Sequence, residues 1–294
     1  MDQVTVKVPA STSNLGSGFD TLGLAVSLYT HVEVRRVEAA GIQLTSELAE
    51  SVRPQLLQLL SEAGELFFQT SKISQFGVEV RLSGNVPIAR GLGYSATLRV
   101  GLLAALNELS GACLSKERLL TLATSLERHP DNASPSIFGG FTVSGLVNGE
   151  ARCLHFEVPE QLKLVTLVPN FPISTEQARK LMPASYSKTD AAHGLNRAAL
   201  ITAAFAGKRY EALRGVFDDK IHQPYRQPLI PVLHKVIAAG EGAGALGGFL
   251  SGSGSAIICL TLEEPQSVAA AMQRTLPDSQ LLLLTADNAG YTVS

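Results

Sequence analysis

Apolar and polar positions alternate from the start of the chain: Val4, Val6 and Val8 fall on one side of an extended segment, with Gln3, Thr5 and Lys7 on the other. A period of two marks a strand, and it predicts strands over 3–9 and, after a loop, over 24–37. The period then changes. Leu56, Leu57, Leu59, Leu60, Leu66 and Phe67 recur at helical spacing and predict a helix over 52–70. Alternation returns from Gly77 to Leu82, followed by a turn at Gly84-Asn85-Val86-Pro87. Ala96, Val100, Leu103, Ala104 and Leu106 then stripe a helix from Ala96 to Leu109, which Gly111 stops. Ser115 is placed to cap a helix over 115–127. Strands over 139–147 and 151–158 flank Asn148-Gly149, a pair that favours the type I′ hairpin turn.

After Pro159 the pattern restarts. A strand from Leu162 to Val168 leads to helices over 175–182, 190–206, 208–217 and 228–240. Strands over 245–250 and 255–262, a helix over 264–274, and strands over 279–285 and 290–293 complete the chain. Mixed strands and helices in both halves predict an α+β protein of two layers meeting near 155–160. No internal repeat or low-complexity segment is seen.

Composition narrows the function classes. A length of 294 residues suits one large domain or two medium ones. With 24 Lys+Arg against 26 Asp+Glu the net charge is −2, without the basic excess that a broad nucleic-acid or acidic-membrane surface needs. Twenty-six glycines in a chain with only 17% charged residues point instead to small-molecule sites lined by backbone. Cys113, Cys153 and Cys259 are far apart and form no C-x-x-C, so neither a disulfide framework nor a zinc knuckle is expected. The N-terminal residues lack the basic and apolar regions of a signal peptide. Apolar runs such as Leu281 to Leu284 fall far below the ~18 residues of a membrane helix. The expected location is the cytoplasm.

Three loops stand out. The first runs from Pro9 to Asp20 and packs Ser11, Thr12, Ser13, Asn14, Gly16, Ser17, Gly18 and Asp20 together. A solvated loop would read the same way, but Leu15 and Phe19 argue against a purely wet tip. The second is Pro87-Ile88-Ala89-Arg90-Gly91-Leu92-Gly93-Tyr94-Ser95-Ala96, running straight into the Ala96 helix. Gly91 and Gly93 let backbone N–H groups turn toward an anion, and a helix N-terminus adds partial positive charge. Ser95 could cap that helix or bind phosphate or magnesium, and a plain helix-opening turn is the rival reading. A dinucleotide fingerprint does not fit, since no buried strand precedes the loop. No Gly-Lys-Ser/Thr phosphate loop, G-x-S-x-G elbow or H-E-x-x-H metal motif occurs. The third loop, Leu250-Ser251-Gly252-Ser253-Gly254-Ser255, alone reads equally as a flexible hairpin turn.

Taken in order, the loops resemble the three motifs of the GHMP family of small-molecule kinases: P-x-x-x-N-L-G-x-G-F-D, P-x-x-x-G-L-G-x-S-A and S-G-x-G. The likeness spans essentially the whole chain. Within the family it is greatest to the branch that phosphorylates the hydroxyl of L-homoserine, on the path to threonine. Glu127 to Asn132, Ser174 to Arg179, Asp219 to Arg226 and Asp287 to Gly290 carry that part of the likeness. The resemblance implies a two-domain fold, with a ribosomal protein S5 domain 2-like N-terminal domain over 1–158 that binds ATP and a ferredoxin-like C-terminal domain over 159–294. It also implies ATP and Mg2+ as cofactors and a small amino acid as substrate. Neither nucleic acid nor membrane is an expected partner, and a homodimer is left open.

Roles follow by matching positions. Arg179 and Arg226 match carboxylate-binding arginines, whose planar fork suits a carboxylate better than lysine does. Asp20 matches the ammonium partner, Asn14 and Asn132 orient the hydroxyl, and His129 lies beside Asn132. The nucleotide falls to Pro87, Arg90, Gly91, Leu92, Gly93, Tyr94, Ser95 and Ala96, and to Ser251, Gly252 and Gly254. Ser95 and Glu127 are the expected metal ligands. Asn132, Thr175 and Glu127 are the expected catalytic set, with Thr175 donating to the transferring phosphate or, alternatively, capping a helix. An amide cannot accept a proton, so Asn132 implies transfer without a dedicated base.

Several positions depart from the family pattern. Tyr94 replaces the usual first serine and is expected to crowd the phosphates or stack near the nucleotide. Arg128 puts a bulky cation where glycine is usual. The segment before Gly77 is short, and it should help form the adenine pocket. Two other readings share these residues: a family member acting on another small hydroxylated acid, such as threonine or mevalonate, and a paralogue that binds ligand without catalysis.

Overall fold

The computed structural model describes residues 2–47 and 49–294. Strand β1 (Gln3–Ser13) pairs antiparallel with β2 (Leu22–Val37), and β2 pairs in turn with β4 (Gly77–Gly84). A three-residue strand β3 (Ile42–Leu44) lies parallel to β4 at the edge. Strand β5 (Phe141–Val147) adds to the Leu22 end of β2 and forms a hairpin with β6 (Glu150–Phe156). Strands β7 (Lys163–Val168), β8 (Gly247–Leu250), β9 (Ile257–Thr261) and β10 (Gln280–Leu284) form a second sheet in the order β10-β7-β9-β8. The last strand, β11 (Thr292–Val293), returns to pair with β1, which makes the first sheet seven-stranded.

Helices cover the sheets where the apolar stripes predict. Helices α1 (Arg53–Ser71), α2 (Tyr94–Ser110) and α3 (Lys116–Glu127) bury Phe67, Leu102 and Leu120 against Val6, Val32 and Val80 of the first sheet. Helices α8 (Leu233–Gly242) and α9 (Pro265–Thr275) bury Val236 and Met272 against Val165 and Cys259 of the second. A third core joins the sheets. Leu24 and Phe141 from the first meet Leu164, Phe249 and Ile258 from the second, and Phe141 stacks on Phe205 at 4.1 Å. Each such large apolar side chain contributes roughly 1.5–3 kcal/mol of burial, so this joint fixes the sheets against each other.

The structure differs from the periodicity reading in informative places. Strand β1 does not stop at Pro9 but runs to Ser13 past a bulge between Pro9 and Ala10, so the first loop begins only at Asn14. Two helices were hidden by proline: α4 (Ala133–Phe138) contains Pro135 and α7 (Gln223–Arg226) contains Pro224. Both prolines sit in the first helical turn, where no intrahelical N–H is needed. The helix expected over 208–217 is only a 3₁₀ turn, Tyr210–Leu213. Helix α8 begins at Leu233 rather than 228, after Pro228 and Pro231. Helices α5 (Thr175–Lys180) and α6 (Lys188–Ala206) lie between β7 and these short elements.

Candidate active site

The three loops converge. Gly252 N–H donates to Ser13 O (3.2 Å), Ala256 N–H to Arg90 O (3.0 Å) and the Ser251 hydroxyl to Gly91 O (2.6 Å). They enclose one cavity of about 490 Å³ whose walls also include α1, the end of α3 and the start of α5. Of the expected site residues, all but Pro87, Ala96, Ser251 and Gly254 line it. Of those four, Pro87 is half-buried and the others are buried. Ala96 is buried in α2, and Ser251 is fully buried between Thr12 and Gly91.

The glycine loop is shaped by close approach. Gly91 has φ +74°, and a Cβ there would lie 2.1 Å from Ser251 O. Gly93 has φ +69° and would meet Ser11 Oγ at 2.3 Å. No side chain fits at either position, and the two glycines bring the N-terminus of α2, whose first N–H groups have no intrahelical partner, to the cavity wall. Gly93, not Ser95, is the helix cap. The Ser95 hydroxyl instead donates to Glu127 Oε2 (3.2 Å), while Arg99 holds Glu127 Oε1 (2.5 Å) and reaches Glu62 of α1 (3.5 Å). Val52, Gln55, Leu56 and Leu59 from α1 and its N-terminal flank complete this wall.

On the other side, charged side chains replace backbone. Arg179 makes a two-pronged ion pair with Asp20 at 2.7 and 3.2 Å. Arg226 is buried, donates from Nη1 to Gly252 O (2.8 Å) and to His222 Nδ1 (3.2 Å), and leaves its Nε without a partner. Burial, helped by the charge of Arg179, pushes the Arg226 guanidinium down to about 10. His222 Nε2–H donates to Gly16 O (2.8 Å), so its Nδ1 is the acceptor that Arg226 requires. Burial keeps His222 neutral by pushing it down to about 4. Asp219 accepts from the N–H groups of Ile221, His222 and Gln223 and from the Ser17 hydroxyl at 2.7–2.9 Å. Burial alone would raise its carboxyl, but the backbone N–H groups of Gln223, His222 and Ile221 hold it below the usual range. The Gln223 side chain in turn accepts from Leu250 N–H (2.7 Å). The segment from Asp219 to Arg226 thus staples the first loop to the third.

Between the two sides sits Asn132. Its Nδ2 donates to Ser13 Oγ (3.1 Å) and Asp131 Oδ1 (3.3 Å), and its Oδ1 accepts from Ser11 Oγ (3.0 Å). His129 Nδ1 and Asp131 Oδ1 pair at 2.5 Å. Burial opposes the charged forms of both. Their mutual hydrogen bond and attraction prevail, raising the His129 imidazole and lowering the Asp131 carboxyl. Asp131, Ser11 and Ser13 were not singled out as site residues from the sequence; for Asp131 the one available signal was an acid two residues from His129. Asn14 is less free than expected. Its Oδ1 accepts from Asp20 N–H (3.0 Å) and its Nδ2 donates to Gly252 O (3.2 Å), so both ends brace the loops.

Thr175 and the unusual residues also resolve. Ser174, accepting from Gln177 N–H (3.0 Å), caps α5, which leaves the Thr175 hydroxyl at the cavity wall, 3.5 Å from Ser253 Oγ. Arg128 is exposed, does not line the cavity, and ends α3 with φ 70°. Glycine suits that position because of backbone conformation, not space. Tyr94 is half-buried at the cavity wall between two cores, and burial raises its phenol.

Three converging loops, a helix N-terminus at a glycine-lined cavity wall and two sheets joined by one core define a class. The chain belongs to the GHMP kinase family: residues 55–140 match the GHMP kinases N terminal domain and residues 201–278 the GHMP kinases C terminal domain. Within the family, similar curated relatives are homoserine kinases. That of Caldicellulosiruptor saccharolyticus is 36% identical over 297 residues, covering 99% of this chain and 96% of the relative. That of Microchaete diplosiphon is 38% identical over 279 residues, covering 93% and 90%. The crystal structure of homoserine kinase from Cytophaga hutchinsonii superposes with a TM-score of 0.88 at 26% identity, covering 100% of this chain and 98% of that one. A mevalonate kinase from L. major, solved with R-mevalonate, shares the fold with a TM-score of 0.70 at 16% identity. No helix among the described residues is long and apolar enough to cross a membrane.

Proposed function

We propose that this kinase transfers the γ-phosphate of ATP to the hydroxyl of L-homoserine, giving O-phospho-L-homoserine. The observation that carries the reading is a single cavity uniting the Gly91–Ser95 cradle with Asp20, Arg179 and Arg226. The homoserine kinase relatives, similar over nearly the full length, support it.

The internal Asp20–Arg179 pair has the charges of an amino-acid zwitterion in reverse. A bound amino acid would take over both partners, its ammonium going to Asp20 and its carboxylate to Arg179 and Arg226. A hydroxy acid without an ammonium, such as mevalonate, would leave Asp20 uncompensated. Asn132, held rigidly by Ser11 and Ser13 and lying against Gly93, would orient the hydroxyl toward phosphates in the cradle. In this reading residues 1–158 carry the nucleotide, while 159–294 supply Thr175, Arg179 and Arg226. Thr175 would donate to the transferring phosphate.

Ser95 Oγ and Glu127 Oε2 are two hard oxygen donors 3.2 Å apart, and Arg99 occupies only the other Glu127 oxygen, so the pair fits Mg2+. When bound, the ion would neutralise phosphate charge. Phosphoryl transfer needs mainly positioning and charge stabilisation. Asn132 cannot take a proton, and Asp131 is buried and engaged by His129, so the hydroxyl proton passes to the γ-phosphate or to water.

The test is ADP release from ATP and Mg2+ with homoserine, threonine, serine or mevalonate as acceptor. Turnover is expected with homoserine. Preference for mevalonate would replace the substrate, and turnover with none, while homoserine still raises thermal stability, would leave a binding protein.

A further inference from the structure

Phe19 does not line the cavity, yet the acceptor-side cations gather on it. The Arg179 guanidinium lies 5.4 Å from its ring centroid and that of Arg226 5.3 Å. The His222 ring stacks on it at 5.5 Å with 25° between planes. All three distances are within reach of the ring quadrupole. We propose that Phe19 is a positioning residue whose aromatic ring holds Arg179 and Arg226 side by side as a pair of carboxylate receptors.

The argument rests on what else holds each arginine. Arg226 is fixed at Nη1 by Gly252 O and His222, but its buried Nε has no partner. Arg179 is held among the described side chains by Asp20 and by Phe19. Asp20 is the group an amino-acid ammonium would take. When it does, the ring of Phe19 is the contact from the protein, among the described side chains, that remains to keep Arg179 beside Arg226 for the incoming carboxylate. Like charges otherwise drive the two apart, at the moment when both are needed. Asp20 is left-handed at φ 53°, so the chain turns sharply just after Phe19, and the two adjacent side chains bracket Arg179.

This inference rests on the amino-acid acceptor reading, and the experiment separates the two. Phe19 is replaced by 3,4,5-trifluorophenylalanine, which keeps the ring's shape but weakens its quadrupole, and by Phe19→Leu and Phe19→Tyr. Homoserine binding is measured calorimetrically and kinetics are followed by ADP release. The fluorinated ring and Phe19→Leu are expected to raise the homoserine Kd and KM by about 5- to 10-fold. kcat and ATP affinity should stay within about twofold, and Phe19→Tyr should retain wild-type binding. Binding of 2-aminobutane-1,4-diol, which lacks the carboxylate, should not weaken further. An unchanged homoserine Kd with the fluorinated ring, or equal loss for the diol, overturns the positioning role while leaving the substrate reading intact. Failure of the wild-type protein to bind homoserine overturns both.

Discussion

The two sides of the cavity, which we assign to phosphate donor and acceptor, are built from different materials. The Gly91–Ser95 side is local in sequence and made of backbone, with glycines at positive φ and a helix N-terminus. The acceptor side gathers Asp20, His129, Arg179 and Arg226 from distant parts of the chain and relies on their charges. Backbone N–H groups recognise phosphate on any nucleotide, whereas a placed ion pair recognises one pattern of charge. Under the proposed function the cradle is the general part of the site and the charged wall the selective part. Perturbing each side should give a different kind of damage.

The largest effect is expected where backbone meets backbone. Gly91→Ala would drive a Cβ to 2.1 Å from Ser251 O at a φ that alanine resists. Combining strain and overpacking, it should cost about 3 kcal/mol or more in denaturant unfolding and remove ATP binding. A stable protein with normal ATP affinity would break the account of the cradle. Next, Arg226→Ala should weaken homoserine by about 1.5 to 3 kcal/mol in KM, with the KM for ATP unchanged. An unaltered homoserine KM would remove Arg226 from the acceptor side.

Asp131→Asn sharpens the comparison through pH. His129 starts from 6.5 and is raised, so its part of the pair's stability is complete below 6.5 and is lost as pH climbs through the raised value. Asp131 starts from 3.8 and is lowered, so its part is complete above 3.8 and is lost as pH falls through the lowered value. The wild-type advantage over the variant should be about 1 to 3 kcal/mol at its height, between those two pH values, shrinking on both sides. Its pH–rate profile should keep both limbs. Loss of a whole limb would make Asp131 a proton acceptor. The smallest change is at the exposed Arg128, where Arg128→Gly relieves the left-handed backbone and should stabilise by up to about 1 kcal/mol without altering either KM.

Much of this is legible in the sequence, because glycine loops and apolar stripes are local signals. The α2 stripe and the Gly91 and Gly93 loop fall where periodicity puts them, to within two residues at the helix start. Local signals also misled. Ser11, Thr12 and Ser13 look like loop residues but are buried in β1, where the Ser11 and Ser13 hydroxyls bond to the Asn132 side chain and that of Thr12 accepts from Ser251. Pro135 and Pro224 obscured short helices that tolerate them in the first turn. What sequence could not reveal was pairing at long range. His222 reaches Gly16 across 206 residues, and Arg179 reaches Asp20 across 159. Those contacts turn matched residues into a wall of defined charge, and they explain why Asn14 braces loops with both ends of its amide.

The central claim is that the acceptor wall reads a zwitterion. The most direct measurement compares kcat/KM for L-homoserine with that for 4-hydroxybutanoate, which lacks the ammonium, and for 2-aminobutane-1,4-diol, which lacks the carboxylate. Removing either charge should lower kcat/KM by about 100-fold or more, since each loss leaves Asp20 or the arginine pair unmatched. Comparable turnover of homoserine and either truncated acceptor would contradict the account.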